Sequence, residues 1–409
     1  MMEPKIRLKG FSGEWKDKTI DEIFLLRNGY TPSKAVDAFW TNGTIPWFRM
    51  EDIRDKGGLL KDAYQNITAE AVKGGGLFEA NSIILSTTAT IGVHAMLIAD
   101  SLANQQFTNL SIRKSLADKY LPMFVYYSFF KIDDWCLKNT NSGGLLSVDI
   151  RELCKHGFPA PSLPEQRALA TFFTSLDNQI SAAEKRLASL KQVKAASLQA
   201  MFPQEGETTP KLRFKGCEGE WKKVKLGEVF ELRNGYTPSK AVDAFWTNGT
   251  IPWFRMEDIR DKGGLLKDAY QKITPEAVKG DGLFEANSIL LATTATIGVH
   301  AMLIADSLAN QRFTNLSIRK SLADKYLPMF VYYAFFGIDE WCLKNTNTGG
   351  LLSVDINELC KLPFLTPSLT EQRQIASYFT SLDRQISAQS SKISKLKQIK
   401  SACLDQMFV

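Results

Sequence analysis

The stretch Pro161-Ser162-Leu163-Pro164-Glu165-Gln166-Arg167 begins a segment in which no glycine or proline follows Pro164 until Pro203. Ser162 and Glu165 fit the S-x-x-E pattern of a capping box, which satisfies free amides in the first turn of a helix. Apolar residues then recur at spacings of three and four, as in a coiled-coil seam. The stretch therefore predicts a helix of about 38 residues, which at about 1.5 Å per residue is a rod of about 57 Å.

The same pattern returns 206 residues later as Pro367-Ser368-Leu369-Thr370-Glu371-Gln372-Arg373. The two copies align without insertion or deletion, so the chain consists of two tandem copies of one sequence unit. Between positions 26 and 127 the copies differ at six positions, whereas after Pro161 they diverge more. The six pairs are Asn66/Lys272, Ala69/Pro275, Gly75/Asp281, Ile84/Leu290, Ser86/Ala292 and Gln106/Arg312.

Each copy divides into a nearly invariant globular part and a helical tail that keeps its pattern while its identities change. We predict globular parts at residues 1–160 and 207–366 and helical segments at residues 161–206 and 367–409. The predicted coiled-coil seams consist of Phe173, Leu176, Ile180, Leu187 and Leu190, and of Phe379, Leu382, Ile386, Ile393 and Leu396. Since each seam needs a partner, the helices are expected to pair antiparallel, with the globular parts at opposite ends about a pseudo-two-fold axis.

The globular part has the pattern of a mixed α+β domain. Short apolar runs at residues 82–85 and 95–98 are bounded by turn residues, as strands are. Residues 120–138 are rich in aromatic side chains and contain no internal helix breaker, which predicts a helix buried in the core. The predicted architecture is two tandem, near-identical α/β domains, each followed by a long helix.

Composition excludes several classes of protein. The chain has 409 residues, 44% apolar and 23% charged, with a net charge of +6, so disorder is not its main state. The beginning of the sequence has no signal-peptide pattern, and no apolar run approaches the roughly 20 residues of a membrane-spanning helix. We therefore expect a soluble, cytoplasmic protein. Six cysteines without a C-x-x-C pair and three histidines predict buried, reduced thiols and no metal site.

The sequence lacks a phosphate-binding P-loop, a G-x-G-x-x-G fingerprint and the Asn-Pro-Pro-aromatic motif of an amino-methyltransferase. His94 and His300 lie in an apolar setting that favours a satisfied, partly buried histidine. Glu51 and Asp52 are adjacent to Arg49 and Arg54, which favours ion pairs over acid–base chemistry. We therefore predict no catalytic residue and no cofactor in this chain.

What remains is a set of polar loops present in both copies. Asn and Gln can bridge the major-groove edge of adenine, Arg that of guanine, and Lys and Thr suit phosphates. Two such surfaces related by a two-fold axis would suit inverted DNA half-sites. The candidate DNA-binding residues are Arg27, Tyr30, Lys34, Arg49, Thr87, Thr88, Thr90, Asn104, Gln105, Gln106, Lys138, Asn139 and Asn141, with Arg233, Tyr236, Lys240, Arg255, Thr293, Thr294, Thr296, Asn310, Gln311, Arg312, Lys344, Asn345 and Asn347.

With these features the chain resembles the specificity (S) subunit of type I restriction–modification systems. The resemblance covers essentially the whole chain, and the repeated entry into a long helix through Glu-Gln-Arg is its most specific part. The stretches that carry it are Pro4-Lys5-Ile6-Arg7-Leu8-Lys9-Gly10-Phe11, Gly13-Glu14-Trp15, Gly43-Thr44-Ile45-Pro46-Trp47, Thr90-Ile91-Gly92, Asn104-Gln105 and Pro161-Ser162-Leu163-Pro164-Glu165-Gln166-Arg167, with their second copies.

The resemblance implies two target-recognition domains, each reading half of a split double-stranded DNA target, and helices that pair as an antiparallel coiled coil. It also implies two modification subunits, which bring S-adenosylmethionine for N6-adenine methylation, and two restriction subunits where the system includes cleavage. The S subunit itself is not catalytic.

This chain departs from the family pattern, in which the two recognition domains are mostly dissimilar. Near-identical domains predict a symmetric target, namely one half-site, a spacer and the inverted copy. Gln106/Arg312 is the difference most able to break that symmetry, because amide and guanidinium prefer different bases. A rod of about 57 Å limits the spacer to about 16 base pairs at about 3.4 Å each.

Two other functions stay open from the sequence. A free-standing transcriptional or architectural DNA-binding protein would share the two-fold surface and bind DNA tightly without modification subunits. An enzyme working through Glu51, Asp52 and His94 would require those residues to converge in one pocket.

Overall fold

The computed structural model describes residues 2–141, 144, 146–280, 282–347 and 352–409. The chain forms two compact units. Unit 1 comprises Met1–Glu184 and Ser391–Val409, and unit 2 comprises Lys185–Ser390. Within the part of the chain that the structure describes, no helix combines the length and the apolar character needed to cross a bilayer.

Unit 1 is a mixed helix and sheet domain. Its helices are α1 (Ile20–Ile23), α2 (Met50–Lys56), α3 (Pro122–Lys138), α4 (Ile150–Lys155) and the first part of α5 (Leu163–Met201). Its strands are β1 (Phe24–Asn28), β2 (Ile45–Phe48), β3 (Leu59–Leu60), β4 (Gln65–Ile67), β5 (Ile83–Ser86), β6 (His94–Leu97), β7 (Leu102–Ala103), β8 (Phe107–Ile112), β9 (Thr140–Asn141) and β10 (Ser147–Val148). Short 3-10 turns occupy Asp37–Phe39, Ala69–Ala71 and Lys114–Leu116.

A five-stranded sheet in the order β1-β8-β5-β6-β3 separates two hydrophobic cores in unit 1. Its neighbours pair antiparallel, except that β3 is parallel to β6. Ile83 and Leu85 of β5 face the core that contains α3, whereas Ile84 faces a second core with Trp47 of the β4-β2-β7 sheet. Because alternate side chains of a strand point to opposite faces, a strand between two cores is buried at every position.

Helix α3 confirms the predicted buried helix. It begins with Pro122 at its first position, where the missing N–H is not needed. Phe124, Tyr127 and Phe129 are each almost fully buried. Phe124 packs edge-on against Trp15 with ring centroids 6.0 Å apart. These aromatic side chains therefore form core, as predicted.

The Glu-Gln pair at the start of α5 ties the helix to unit 1. Both oxygens of the buried Glu165 carboxylate accept hydrogen bonds from the guanidinium of Arg7, at 2.7 and 2.8 Å. The Gln166 amide accepts from the N–H of Leu121 at 3.0 Å and donates to the carbonyl oxygen of Lys119 at 3.0 Å. The predicted helix start is correct, but Glu165 serves as a partner for a distant arginine and not as a cap.

The end of the second long helix, α10 (Leu369–Met407), packs within unit 1. Lys400 donates to Asp177 at 2.6 Å, and Lys397 pairs with Glu184 at 2.7 Å. The later residue of α5 contacts the earlier residue of α10 in these two pairs, so the two helical segments run antiparallel. Beyond the helix end, Phe408 packs at 5.4 Å from Phe173, centroid to centroid.

Unit 2 repeats this architecture. Its helices are α6 (Leu226–Val229), α7 (Met256–Lys262), α8 (Pro328–Lys344), α9 (Ile356–Lys361) and parts of α5 and α10. Its strands are β11 (Lys222–Lys225), β12 (Phe230–Asn234), β13 (Ile251–Phe254), β14 (Leu265–Leu266), β15 (Gln271–Ile273), β16 (Ile289–Ala292), β17 (His300–Leu303), β18 (Leu308–Ala309), β19 (Phe313–Ile318), β20 (Thr346–Asn347), β21 (Ser353–Val354) and β22 (Pro363–Thr366). Its 3-10 turns are Asp243–Phe245, Pro275–Ala277 and Lys320–Leu322.

The sheets of unit 2 have the order β12-β19-β16-β17-β14 and β15-β13-β18, with the same register as in unit 1. Unit 2 also pairs β11 with β22 as two regular strands. In unit 1 the equivalent segments make isolated bridges at Lys16 and Thr19. Pro159 in unit 1 stands where unit 2 has Leu365, and the N–H groups on either side of it, of Phe158 and Ala160, still donate to the carbonyl oxygens of Lys18 and Lys16.

Within unit 2 the two long helices again run antiparallel. Lys194 of α5 donates to Asp383 of α10 at 2.6 Å, and Ser197 lies 2.9 Å from the Tyr378 hydroxyl. Phe202, just beyond α5, stacks on Phe330 with centroids 5.8 Å apart. Glu371 accepts from Arg213, as Glu165 does from Arg7.

The predicted seam residues lie on the inward side of the long helices. Phe173, Leu176, Ile180, Phe379, Leu382 and Ile393 are buried, and Leu187, Leu190, Ile386 and Leu396 are half-buried. Leu190 packs against the aromatic core of unit 2, and Leu396 packs against that of unit 1. The seam is thus continuous with the core of each unit.

The six cysteines are free thiols, as predicted, but two of them are buried and the other four are half-buried, so the prediction that all are buried is wrong. Cys136 and Cys342 lie in the aromatic cores of unit 1 and unit 2. Burial raises the pKa of each of these two thiols to about 12, because the thiolate would lose its hydration.

Replacing Arg7 with methionine is expected to lower the free energy of unfolding of unit 1 by about 3–5 kcal/mol, because it leaves the buried Glu165 carboxylate without its charged partner. The double variant R7M/E165M should recover most of that loss, since two apolar side chains leave no buried charge. Urea unfolding followed by tryptophan fluorescence measures both, and R213M is the matched variant in unit 2. Equal losses in the single and double variants would show that the ion pair is not the cause.

A second prediction concerns His156, which packs against Trp135 and is replaced by Leu362 in unit 2. Burial lowers the pKa of His156 below its ordinary 6.5, with Asp17 acting in the opposite direction. The unfolded chain therefore takes up the proton first, and the stability present above about pH 6.5 is lost as the pH falls below that value and through the lower pKa of the folded protein. The thermal midpoint should fall less between about pH 7.5 and about pH 5 in H156L than in the natural chain. An unchanged pH dependence in H156L would contradict this.

Candidate nucleic-acid interface

Strand ends bring several predicted loops of unit 1 together. β1 and β5 flank β8 and run antiparallel to it, so the residues after β1 and β5 lie beside those that precede β8. A Cβ atom on Gly29 would lie 2.2 Å from the carbonyl oxygen of Asn104, so only glycine fits there. We call this cluster the polar edge. It comprises residues 28–31, 87–90, 104–106 and 146–148 in unit 1, and residues 234–237, 293–296, 310–312 and 352–354 in unit 2.

Buried hydroxyl groups support the polar edge from within. The Thr87 and Thr108 hydroxyls lie 2.9 Å apart, and Thr108 donates to the Asn28 side chain at 3.1 Å. Thr87 is only 4% exposed. This predicted DNA-binding residue therefore positions the loops, as does Thr293, which bonds Thr314 at 2.9 Å in unit 2.

The turn before β8 carries three amide side chains. The side-chain oxygen of Asn104 accepts the backbone N–H of Gln106 at 3.0 Å, and the Asn104 N–H donates to the Phe48 carbonyl oxygen at 3.0 Å. Gln105 is exposed and accepts a 2.6 Å hydrogen bond from the Thr31 hydroxyl. The turn is thus fixed to two neighbouring strands and presents its amides outward.

A further strand closes the polar edge. The N–H of Val148 donates to the Thr87 carbonyl oxygen at 2.9 Å, and the N–H of Ala89 donates to that of Leu146 at 2.9 Å. Ser147 of β10 pairs with Asn141 of β9, so the predicted residue Asn141 is attached to the polar edge through this hairpin. Ser142, Gly143 and Leu145, which lie between β9 and β10 in the sequence, are outside the described residues.

Arg27 and Tyr30 make contacts within the protein. The Arg27 guanidinium donates to the Leu77 carbonyl oxygen at 2.6 Å and lies 4.9 Å from the centroid of Phe78. The Tyr30 hydroxyl accepts the N–H of Lys73 at 2.8 Å. Both side chains therefore hold the 73–77 loop, and Arg233 and Tyr236 do the same in unit 2.

Arg49 and Asn139 are also engaged locally. Arg49 forms an ion pair with Glu51, and Arg255 lies 3.8 Å from Glu257. The Asn139 amide donates to the Trp135 carbonyl oxygen at 2.8 Å, which closes the end of α3. Asn345 makes the same bond in unit 2 at 2.9 Å.

The remaining candidates are accessible to a ligand. Asn104, Gln106, Thr88, Asn310 and Thr294 are half-buried in the polar edge. The exposed candidates are Lys34, Thr90, Gln105, Lys138 and Asn141 in unit 1, and Lys240, Thr296, Gln311, Arg312, Lys344 and Asn347 in unit 2.

Sequence reasoning missed three contributors to the polar edge, Thr31, Thr108 and Ser147. Thr31 directly follows the candidate residue Tyr30 in the sequence, but its hydrogen bond to Gln105 appears only in the fold. Thr108 lies inside a strand, and Ser147 joins the polar edge only by pairing with Thr88. No local pattern marks these residues, because each acquires its role from a partner far away in the chain.

The acidic residues proposed for an enzyme have structural partners. Asp52 is fully buried and accepts the N–H groups of Arg49 at 2.9 Å and Tyr64 at 2.8 Å. Glu51 pairs with Arg49, which confirms the expected ion pair.

His94 has separate partners. Its Nδ1 lies 2.5 Å from the Asp133 carboxylate, and its Nε2 lies 2.9 Å from the Tyr126 carbonyl oxygen. The buried, satisfied histidine is therefore confirmed. The hypothesis of an enzyme in which Glu51, Asp52 and His94 converge in one pocket is therefore wrong, because the three side chains have different partners.

Both halves of the chain match one family of known proteins. The family model described as "Type I restriction modification DNA specificity domain" matches residues 12–192 and 218–398. The EcoprrI specificity subunit of Escherichia coli is 51% identical over 152 residues, which are 37% of this chain and 37% of that protein. The MjaVIII specificity subunit of Methanocaldococcus jannaschii is 20% identical over 408 residues, covering 95% of this chain and 90% of that protein.

Solved structures share the fold. The type I restriction–modification S subunit from M. genitalium aligns over 100% of this chain and 99% of its own, with a TM-score of 0.58 and 14% identity. A chain from a study of complex assembly in the type I R-M system aligns over 96% of this chain and 97% of its own, with a TM-score of 0.62 and 17% identity. At these identities the likeness establishes the fold alone.

The close approach at Gly29 generates a prediction. G29A should destabilise unit 1 by about 1–3 kcal/mol, because the new methyl group overlaps the Asn104 carbonyl and the backbone must shift. G74A is the control, since its Cβ meets no atom within 4 Å. Urea unfolding compares the two variants. Equal stabilities of G29A and G74A would contradict the prediction, because they would show that the turn accommodates the methyl group without loss of stability.

Proposed function

The chain belongs to the family of type I restriction–modification DNA specificity proteins, and we propose that each of its two units reads one half of a bipartite double-stranded DNA target. The observation that carries the proposal is the duplication of the polar edge within a chain whose two halves both match the DNA specificity family. The Thr31–Gln105 hydrogen bond and its counterpart Thr237–Gln311 are both 2.6 Å long.

The exposed groups of the polar edge suit direct readout of bases. Hydroxyl and amide side chains donate to and accept from base edges in the major groove, whereas the exposed lysines suit phosphates. Lys34, Lys138, Lys240 and Lys344 are the lysines available for that second role.

In this proposal residues 1–160 and 207–366 are the target-recognition parts. Residues 161–206 and 367–409 are the helical segments on which two modification subunits dock. S-adenosylmethionine binds to those subunits, where it supplies the methyl group for N6-adenine methylation. Two restriction subunits join where the system also cleaves DNA. The chain itself recognises DNA without catalysing a reaction and works in the cytoplasm, where it meets these partners.

The target is proposed to be an inverted repeat around a spacer of at most about 16 base pairs. Ile84/Leu290 and Ser86/Ala292 are buried core positions. Asn66/Lys272 and Ala69/Pro275 lie outside the polar edge, as does Gly75, whose counterpart Asp281 is outside the described residues. The surfaces that would face bases are therefore the same in both units apart from Gln106/Arg312.

Methylation of host DNA tests this function. The chain should co-purify with two copies of the modification subunit encoded beside it, and sequencing should reveal an N6-methyladenine motif that is its own inverted repeat around a gap. Two unrelated half-sites would contradict the symmetric target. A lone chain that binds DNA tightly without associated methylation would instead favour a free-standing DNA-binding protein.

A further inference from the structure

The difference between the two units within the polar edge is confined to the side chain at Gln106/Arg312. The backbone of the turn is the same in both. Asn104 accepts the Gln106 N–H at 3.0 Å, and Asn310 accepts the Arg312 N–H at 3.0 Å. Each unit thus places a different side chain at one and the same point.

The hydrogen bonds of the turn fix which way the Gln106 amide faces. A backbone N–H can only donate, so the Asn104 atom that receives it is the oxygen Oδ1. The Asn104 Nδ2 group must then point the other way, and it donates to Gln106 Oε1 at 3.3 Å. The Gln106 oxygen is therefore used inside the turn, and its Nε2 group has no partner among the described residues.

Gln105 has the same polarity. Its Oε1 accepts from the Thr31 hydroxyl at 2.6 Å, which leaves Nε2 as the group that faces outward. Gln311 repeats this arrangement with Thr237 in unit 2. Arg312 is exposed, and a guanidinium can only donate. In both units the outer surface of the turn consequently offers N–H donors.

The next inference rests on the proposed function. We propose that the turn at residues 104–106, with its counterpart at residues 310–312, reads a guanine in each half-site. Gln106 and Arg312 then recognise the same base. In the major groove guanine presents two acceptors, N7 and O6, whereas adenine presents an acceptor beside an N–H donor. The usual bidentate contact of glutamine with adenine presents the amide oxygen and the N–H group together to the base, whereas the Gln106 oxygen faces Asn104 inside the turn. Arginine is the side chain that pairs best with guanine.

The substitution between the copies therefore conserves the chemistry of the contact. Gln105 and Gln106 can donate to N7 and O6 with one amide each, and Arg312 can donate to both atoms by itself. Phosphate oxygens would accept from the same donors, but a phosphate contact carries no base preference. A base contact and a phosphate contact are therefore distinguished by whether a variant changes the base sequence of the methylated motif.

The test uses the complete chain bound to its modification subunits and sequences N6-methyladenine after expression of Q106R, R312Q and Q106E. Q106R and R312Q should both leave the motif its own inverted repeat, because each retains a donor. Q106E replaces the donor with an acceptor. It should lower methylation of the original motif at least about tenfold and make the motif asymmetric, with guanine lost at one position of one half-site only.

Thermal unfolding of the variant complexes controls for folding, since position 106 lies in a surface turn. A changed base in the Q106R or R312Q motif would overturn the proposal. So would a Q106E complex that binds all sequences more weakly with a reduced salt dependence, which is the behaviour of a phosphate contact. Absence of any bipartite motif with the natural chain would refute the proposed function itself, whereas the other two outcomes leave it intact.

Discussion

The buried ion pair between Glu165 and Arg7, repeated as Glu371 and Arg213, is the constraint on which the rest of each unit depends. A carboxylate that is 2% exposed is costly to bury, and it is stable only while its partner is held in place. The pair therefore ties Arg7 to Glu165 in the first turn of α5, 158 residues further along the chain, and Arg213 to Glu371 in the first turn of α10 in the same way. Gln166 adds bonds to the loop before α3, so the first turn of the long helix is held to unit 1 at two points.

The end of the other long helix completes the core of each unit. Phe408 reaches the aromatic cluster of unit 1, and Phe202 reaches that of unit 2. Each cluster lies on one face of a five-stranded sheet whose other face covers a second core. A sheet held on both faces has rigid strand ends, and the polar edge is built on those ends. Loops positioned in this way can present side chains precisely although they lie at the surface.

The two copies have diverged where packing tolerates change and have stayed alike where hydrogen bonds are specific. Along the long helices, Leu187 is replaced by Ile393 and Phe172 by Tyr378, which keeps the apolar pattern and approximate volume. In the polar edge each side chain has one partner of defined polarity, as with Thr31 and Gln105, so few replacements would serve.

The sequence by itself determined the repeat, the two long helices, the buried helix α3 and the inward residues of the seam, because periodicity and helix breakers act over a few neighbouring residues. Only the tertiary structure decided that Glu165 faces Arg7, that Phe408 belongs to unit 1 and that Thr87 is buried while Gln105 is exposed. The same is true of Thr31, Thr108 and Ser147 in the polar edge. The partners in these contacts are separated by tens to hundreds of residues, and no local pattern records which of them the fold brings together.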